Sequence, residues 1–542
     1  MSSQHLWVPM LLFAAVAALY GQFLWNPLQF DDRDFFLLDN AGSMPISVFQ
    51  YSALELRSLP YATLAWTNGW FGLDLINFRV GNLLLHAAVV LALYYFLMGL
   101  FAAVYIGNFR KGLSPRHAAF FAALLFALHP VATYAAGYLV QRSIVMATLF
   151  TLLAMLVYMH GSIQQKPLWL WMSVPFYYLA VFSKEHAIML PFVLLALTML
   201  LHNDWRIKLK QRVGIFVALA AIAMMVLLIK KGLLGSVYEP AAAEMLRVLN
   251  IESAYPLSVI TQSWLFFKYA FLWVAPNPAW MSIDMREPFA QSLFSPYLIA
   301  TVFFGAWGAS AFWLMIKRGN TGLAGFALLF PWLMFFVEFS SVRIQEPFVL
   351  YRSYLWAVGA FCMLPVIVNK VNHRVVLLVL SMVVMAMFSV SMERLLTLSN
   401  SVLVWDDAEK LIRGRTDLPG ASRIYYNRGT ELLRMDSPDR AMIDLKQAIA
   451  IDGNFGNAHA NLGAAYAKKG DWKNSVASFS KAIEIFISDP QWKQFYGRAI
   501  AFEKLGELQL AQADFRVTCF LAQKGCEKLP GGNLSGKPSA IR

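Results

Sequence analysis

Phe30-Asp31-Asp32-Arg33-Asp34-Phe35-Phe36 sets three carboxylates and a guanidinium within four consecutive positions, directly after the apolar run from Trp7 to Trp25. A charged cluster where a chain leaves a bilayer is ordinarily a solvated loop, and taken alone this one would be no more. The run before it carries neither a basic segment at its start nor a small-residue cleavage site at its end, so it is expected to stay as an anchor. The first external loop then extends over 26–78 and holds Arg57, Pro60 and several aromatics suited to an interfacial helix.

The composition agrees with that start. Only 14% of the 542 residues are charged and the mean hydropathy is +0.53, against roughly a quarter charged in an average soluble domain. Apolar runs of roughly 20 residues, the length that crosses a hydrocarbon core, recur until about Met392. The net charge of +13 lies in short clusters between these runs rather than on one face, which fits membrane topology and argues against a nucleic acid partner.

Basic loops order the runs. Arg110, Lys111 and Arg116 follow the second run, and Arg206, Lys208, Lys210 and Arg212 follow the sixth. Placing both clusters inside puts the acidic loop outside. Lys317-Arg318 and Lys370 with Arg374 also fall inside if the segment near 258–275, flanked by Pro256 and Pro276, is re-entrant or interfacial. The expected fold is therefore all-α: a polytopic helical bundle of about 11 crossings over 1–400.

From about Trp405 the chain turns polar and repetitive. Gly429, Gly463 and Gly497 recur every 34 residues, each in the same helical setting, and Ala441, Leu445 and Ala448 return as Ser475, Phe479 and Ala482, then as Ala511, Phe515 and Thr518. That period and register are those of tetratricopeptide repeats, so 401–528 is expected to form an α-solenoid of about three repeats, followed by a flexible tail over 529–542. Cys519 and Cys526 lie on what reads as one helix, too far apart for a bridge unless the helix breaks near Gly525.

Ionisable residues at membrane depth are costly and need a reason. Arg142, Lys184-Glu185-His186 and Tyr351-Arg352 all sit at run ends on the same expected face as Asp31 and Asp32. Singly, each is explained by a side chain reaching the interface. Together they make a ring of cations around a carboxylate cluster, the arrangement needed to hold a lipid-linked phosphate while a base takes a proton from an acceptor hydroxyl. Asn82 and His86 share one helix face and suit an interhelical hydrogen bond. His129-Pro130 suits a helix end.

In order along the chain, Asp31-Asp32, Leu37-Leu38-Asp39-Asn40, Arg57-Ser58-Leu59-Pro60, Asn82-Leu83-Leu84-Leu85-His86, His129-Pro130, Tyr138 to Ser143, Ser183-Lys184-Glu185, Ser282-Ile283-Asp284 and Tyr351-Arg352-Ser353-Tyr354-Leu355 resemble the transmembrane and tetratricopeptide repeat-containing O-mannosyltransferase family and its bacterial relatives. The resemblance implies a GT-C glycosyltransferase in a bacterial inner membrane. Such an enzyme moves a sugar from a polyprenyl-phosphate-linked donor to a Ser or Thr of an exported or pilus-type protein, with the repeats on the periplasmic side holding the acceptor. It maps the catalytic base onto Asp31 or Asp32 and the phosphate-side cations onto Arg142, Lys184 and Arg352, with Arg57, His129, Glu185, His186 and Tyr351 in support. A divalent metal bridging the two aspartates to the phosphate and a pair of cationic side chains are alternative neutralisers, and the residues do not decide between them. Ser58 after Arg57 and Ala132-Thr133-Tyr134 after His-Pro depart from the family pattern and leave donor sugar and acceptor open. Two other functions compete. An oligosaccharide ligase or polymerase would need a long external loop where only Arg343 to Arg352 stands. A non-enzymatic membrane scaffold displaying the repeats would need none of the acidic residues.

Overall fold

The computed structural model describes residues 7–36, 49–105, 113–230, 235–237, 242–248, 251 and 253–530. Leu37–Asn40, Arg110 and Lys111, and nearly all of the tail, lie outside them. Every element of three residues or more is helical among the described residues, and the chain divides into two compact units, Met1–Asn400 and Ser401–Arg542.

In the first unit seven helices are long and apolar enough to cross a membrane, or nine if each of two bent pairs is one span. This is fewer than the eleven runs expected, and the reason is local. Pro130 ends the helix Pro115–Ala127, because its ring lacks the N–H and clashes with the preceding turn, and the continuation is bent by 51°. The helix Pro167–Trp171 stops at Met172 before Ser173–Ser183 begins, and Trp7–Phe23 and Glu185–Leu201 are shorter apolar helices. Ala254–Val274 is one helix of 21 residues. Near its start Ser258 Oγ accepts from the Arg343 N–H at 2.9 Å, and near its end the Trp273 carbonyl accepts from His129 Nε2 at 3.1 Å. Both ends thus meet the same end of the bundle.

That end can be traced by hydrogen bonds. Asn26 donates to the Leu395 carbonyl, Arg79 to the carbonyls of Asn26, Pro27 and Gly137, Lys184 to Gln141, and the Arg57 N–H to the Phe182 carbonyl. At the opposite end Tyr105 donates to Asn369, Ser162 meets His202, and Arg212 lies against Tyr158 and Thr198. The helices Pro296–Ile316 and His373–Thr397 have only 28% and 17% of their most apolar window buried. Their outward Ile299, Val302, Phe303, Leu378 and Met385 present apolar surface well beyond what a water-facing helix carries.

The second unit stacks helix pairs Ala421–Arg434 with Pro438–Ile451, Gly456–Lys468 with Trp472–Ile485, and Trp492–Leu505 with Leu508–Ala522, after a lead helix Ser401–Ile412. The residues read as repeat positions are its core: Ala441, Leu445, Ala448, Ser475, Phe479, Ala482, Ala511, Phe515 and Thr518 are all buried. A Cβ on Gly463 would lie 2.9 Å from the Phe479 ring and one on Gly497 2.3 Å from it, so one ring occupies the space that two glycines leave. The helix carrying Cys519 ends at Ala522, with Gln523 and Gly525 in the left-handed region at φ of 53° and 74°. The chain therefore turns back, and Cys519 and Cys526, which a continuous helix would hold apart, form a disulfide.

Candidate functional site

All the ion pairs found among the described residues of the first unit lie at the traced end of the bundle. Arg57 starts the helix Ser58–Phe71 in the left-handed region, φ 64°, an unusual conformation for a residue with a side chain. Its N–H bond to Phe182 and its two-pronged grip on the Glu185 carboxylate, Nε to Oε2 at 3.1 Å and Nη2 to Oε1, hold it there. Lys230, at the end of Val213–Ile229, reaches the same Glu185 Oε1 at 3.1 Å. Ser52, Leu54, Glu55, Tyr61 and Ile229 complete an open pocket of about 550 Å³ around these charges.

Lys184 is buried where the helix Ser173–Ser183 ends. Its ammonium donates to Gln141 Oε1 at 2.9 Å and lies 4.7 Å from the centre of the Tyr351 ring. No carboxylate among the described residues pairs with it. Burial, followed by the nearby Arg57 charge, lowers its pKa well below the usual range for lysine.

Beyond Tyr351 the sign of the charge changes. Asp31, Asp284 and Glu346 line a cleft with Tyr138 and Tyr351 that has open space of only about 10 Å³, room for a single water. Asp284 pairs with Arg286 at 2.6 Å and Glu346 with Arg352 at 3.6 Å. The Asp31 N–H donates to Tyr138 Oη at 2.7 Å. Deeper in, Glu338 gathers His186 at 3.1 Å, Arg352 at 3.5 Å and Arg343 at 3.6 Å.

The site residues read from the sequence thus separate into two groups. Asp31, Arg57, Lys184, Glu185, Tyr351 and Arg352 come together around the cleft and the pocket, with His186 held behind them on Glu338. Asp32, Arg142 and His129 are turned to other work. The Asp32 carboxylate accepts the N–H groups of Leu139 at 3.3 Å and Val140 at 2.8 Å. Burial pushes its pKa up to about 6, against the pull of Arg79 and of those N–H groups. Arg142 donates to Asn82 Oδ1 at 2.6 Å, the Phe78 carbonyl at 2.8 Å and Thr63 Oγ1 at 3.3 Å, joining three helices through neutral oxygens. His129 accepts from the Val131 N–H and donates to Trp273, which uses both ring nitrogens. With Asp32 committed to backbone, the two aspartates do not make a shared metal seat, and no three His, Cys, Asp or Glu side chains converge as ligands among the described residues.

Sequence reading missed Lys230, Glu338, Arg343 and Asp284 as members of this face. Glu338 carried a usable signal, since it is the one acid inside the apolar run from Phe335 to Phe339. Lys230 carried none, because a lysine closing an apolar helix is the commonest interface anchor.

The comparisons with known proteins bear on the second unit. The tetratricopeptide repeat family matches residues 422–455 and 456–486, so this region consists of such repeats. The mouse (Mus musculus) DnaJ homolog subfamily C member 7 is 26% identical over 115 residues, 21% of this chain and 23% of that protein. Small glutamine-rich tetratricopeptide repeat-containing protein 2 of Mycosarcoma maydis is 29% identical over 96 residues, 18% of this chain and 27% of that one. The chain thus spans about a quarter of the length of these relatives. Among solved structures, a MamA protein is similar at 20% identity and TM-score 0.20 over 25% of this chain and 69% of that one. The Cut9-Hcn1 hetero-tetramer of the APC/C is similar at 11% identity and TM-score 0.22 over 87% and 81%. Those scores are too low to carry an argument about shape. The similarities side with a protein that displays repeats to other proteins.

Proposed function

We propose that the protein is a membrane-embedded repeat protein whose tetratricopeptide unit recruits a protein partner at the membrane face. The observation that carries this reading is the repeat array, whose stacked helix pairs bury one set of faces and leave a concave surface of the kind that binds peptide segments. The outward apolar helices of the first unit support the membrane setting. The disulfide Cys519–Cys526 supports an oxidising, external compartment for the repeats. Photo-crosslinking in intact membranes tests the reading. The full chain should yield a discrete crosslinked partner that a Gly497→Leu chain, with its repeats forced apart, does not. An unchanged crosslink pattern in that variant sinks it.

A second reading is favoured by one specific observation, the meeting of Asp31 and Lys184 on either side of Tyr351. It is a glycosyl transfer of the kind the family resemblance implies, at a bacterial inner membrane. Asp31 takes the proton of an acceptor hydroxyl, and the oxygen attacks the anomeric carbon of a polyprenyl-phosphate-linked sugar. The lipid phosphate leaves with the bonding electron pair, and Lys184 stabilises its charge. On this reading Asp32 positions the loop rather than taking the proton. Mass analysis of envelope proteins from cells with and without the chain tests it, through a lost hexose-sized or pentose-sized increment.

A further inference from the structure

Resting on the glycosyl-transfer reading, we infer that the pocket between Arg57 and Lys230 is the anion seat of the protein, built for a phosphate-bearing headgroup, with the Glu185 carboxylate holding the place of that anion until it arrives. Glu185 is buried and grips both cations at the pocket wall, while Arg57 and Lys230 keep 34% and 29% of their side chains exposed to the opening. The cations can therefore reach a ligand that the carboxylate does not face directly.

The charge balance gives the sign of that ligand. Arg57, Lys184 and Lys230 stand within reach of one another against the single carboxylate of Glu185, while Glu55 at the rim is exposed. A surplus of positive charge in a half-buried pocket is unfavourable until an anion enters. The guanidinium fork of Arg57 and the ammonium of Lys230 match the two ways proteins hold phosphate oxygens, one planar and one as a point charge. The pocket, at about 550 Å³, is large enough for a phosphate with one sugar ring. The left-handed backbone at Arg57 is a further sign, since local strain of this kind persists where a side chain has to be aimed. Arg142 and Arg352 are poorer seats, because the first is spent on neutral oxygens between helices and the second on Glu338 and Glu346.

The shared chemistry is a phosphate monoester or pyrophosphate, either inorganic or borne by a lipid. The test uses the full chain in detergent or nanodiscs. One arm measures binding of inorganic pyrophosphate and the other binding to vesicles containing a polyprenyl phosphate. Lys230→Gln and Arg57→Gln should each weaken binding by roughly tenfold, as expected for loss of one charge-assisted contact. Glu185→Gln should tighten it by roughly threefold or more, because the competing carboxylate is gone. A purely structural role would not produce that gain. Lys208→Gln, at the opposite end of the bundle, should leave binding unchanged. Binding by vesicles alone identifies a lipid-borne headgroup, and equal binding in both arms identifies the phosphate itself as sufficient. The inference is overturned if the native chain binds in neither arm, or if Lys230→Gln and Arg57→Gln bind as the native chain does. Sugar transfer assayed on the same preparations separates the two ideas. Anion binding lost in Lys230→Gln, from a native chain that transfers nothing, keeps the seat and removes the transferase. Transfer by a native chain whose anion binding ignores Lys230 and Arg57 does the reverse.

Discussion

The Asp32 carboxylate accepts the Val140 N–H at 2.8 Å and closes the loop after the first helix onto the start of the 3-10 turn Leu139–Gln141. A buried acceptor serving two backbone donors is expensive to remove, because both donors are then left without partners. Asp32→Ala should lower stability by about 2 kcal/mol or more, seen as a fall in the melting temperature of the detergent-solubilised chain. The pH dependence has a definite sign. Because the folded-state pKa, about 6, lies above the ordinary 3.8, the contribution of this group to stability is fully present below about 4 and is lost as the pH rises through about 6. Melting curves of the native chain should gain from acidification across that window, and Asp32→Asn should remove that part of the gain.

Asp31 is the contrasting case, since its neighbour holds the loop while it lines the cleft with Tyr138 and Tyr351. If sugar transfer occurs here, Asp31→Asn should reduce it by a factor on the order of 10² to 10⁴, the usual range for a lost general base, with melting temperature unchanged. A scaffold would be indifferent to the same substitution. Steady partner crosslinking together with unchanged envelope glycosylation in Asp31→Asn would leave the recruitment reading standing alone.

These two aspartates show where the sequence was legible and where it was not. Their adjacency gave no way to tell which one faced the cleft, because a one-residue step on a helix turns a side chain by about 100° and only the fold says which way. The repeat register was readable, since Gly463, Phe479 and Gly497 must interlock in any array of this period and their spacing is set by that contact. The apolar runs were readable as helices, while their breaks at Pro130, Met172 and Arg212 blurred where one span ends. Arg142 and Lys184 looked alike in sequence, each a cation at a run end. Neutral oxygens from three helices enclose the first, and an aromatic face and Arg57 flank the second. Such differences depend on residues more than forty positions away and leave no local mark.

Gly497 offers a sharp test of the repeat unit. With the Phe479 ring 2.3 Å from where its Cβ would stand, Gly497→Ala forces the ring or the helix to move, at a cost of about 1–3 kcal/mol. Proteolysis should cut the second unit sooner in this variant. Phe479→Leu combined with Gly497→Ala should recover part of the loss, because the smaller side chain yields the space. No recovery in the double variant would mean that the two residues do not share one gap.

The disulfide Cys519–Cys526 closes a loop of only seven residues of separation at the end of the last helix. Cross-linking so short a segment stabilises by about 2 kcal/mol in the chain-entropy account, and Phe515 and Thr518 lie directly beneath the turn at Gly525. Cys519→Ser should therefore fray the helix Leu508–Ala522 and speed proteolysis there, with little effect on the helices Ala421–Arg434 and Pro438–Ile451, because a stacked array transmits the loss mainly to its nearest neighbour. The state of the bridge in cells also reports its compartment. Thiols trapped with a membrane-impermeant alkylating reagent should be unreactive before reduction and reactive after it when the repeats lie outside. Thiols that react without reductant, and only after the membrane is opened, would place the repeats inside and remove any role for them in recruiting an exported protein.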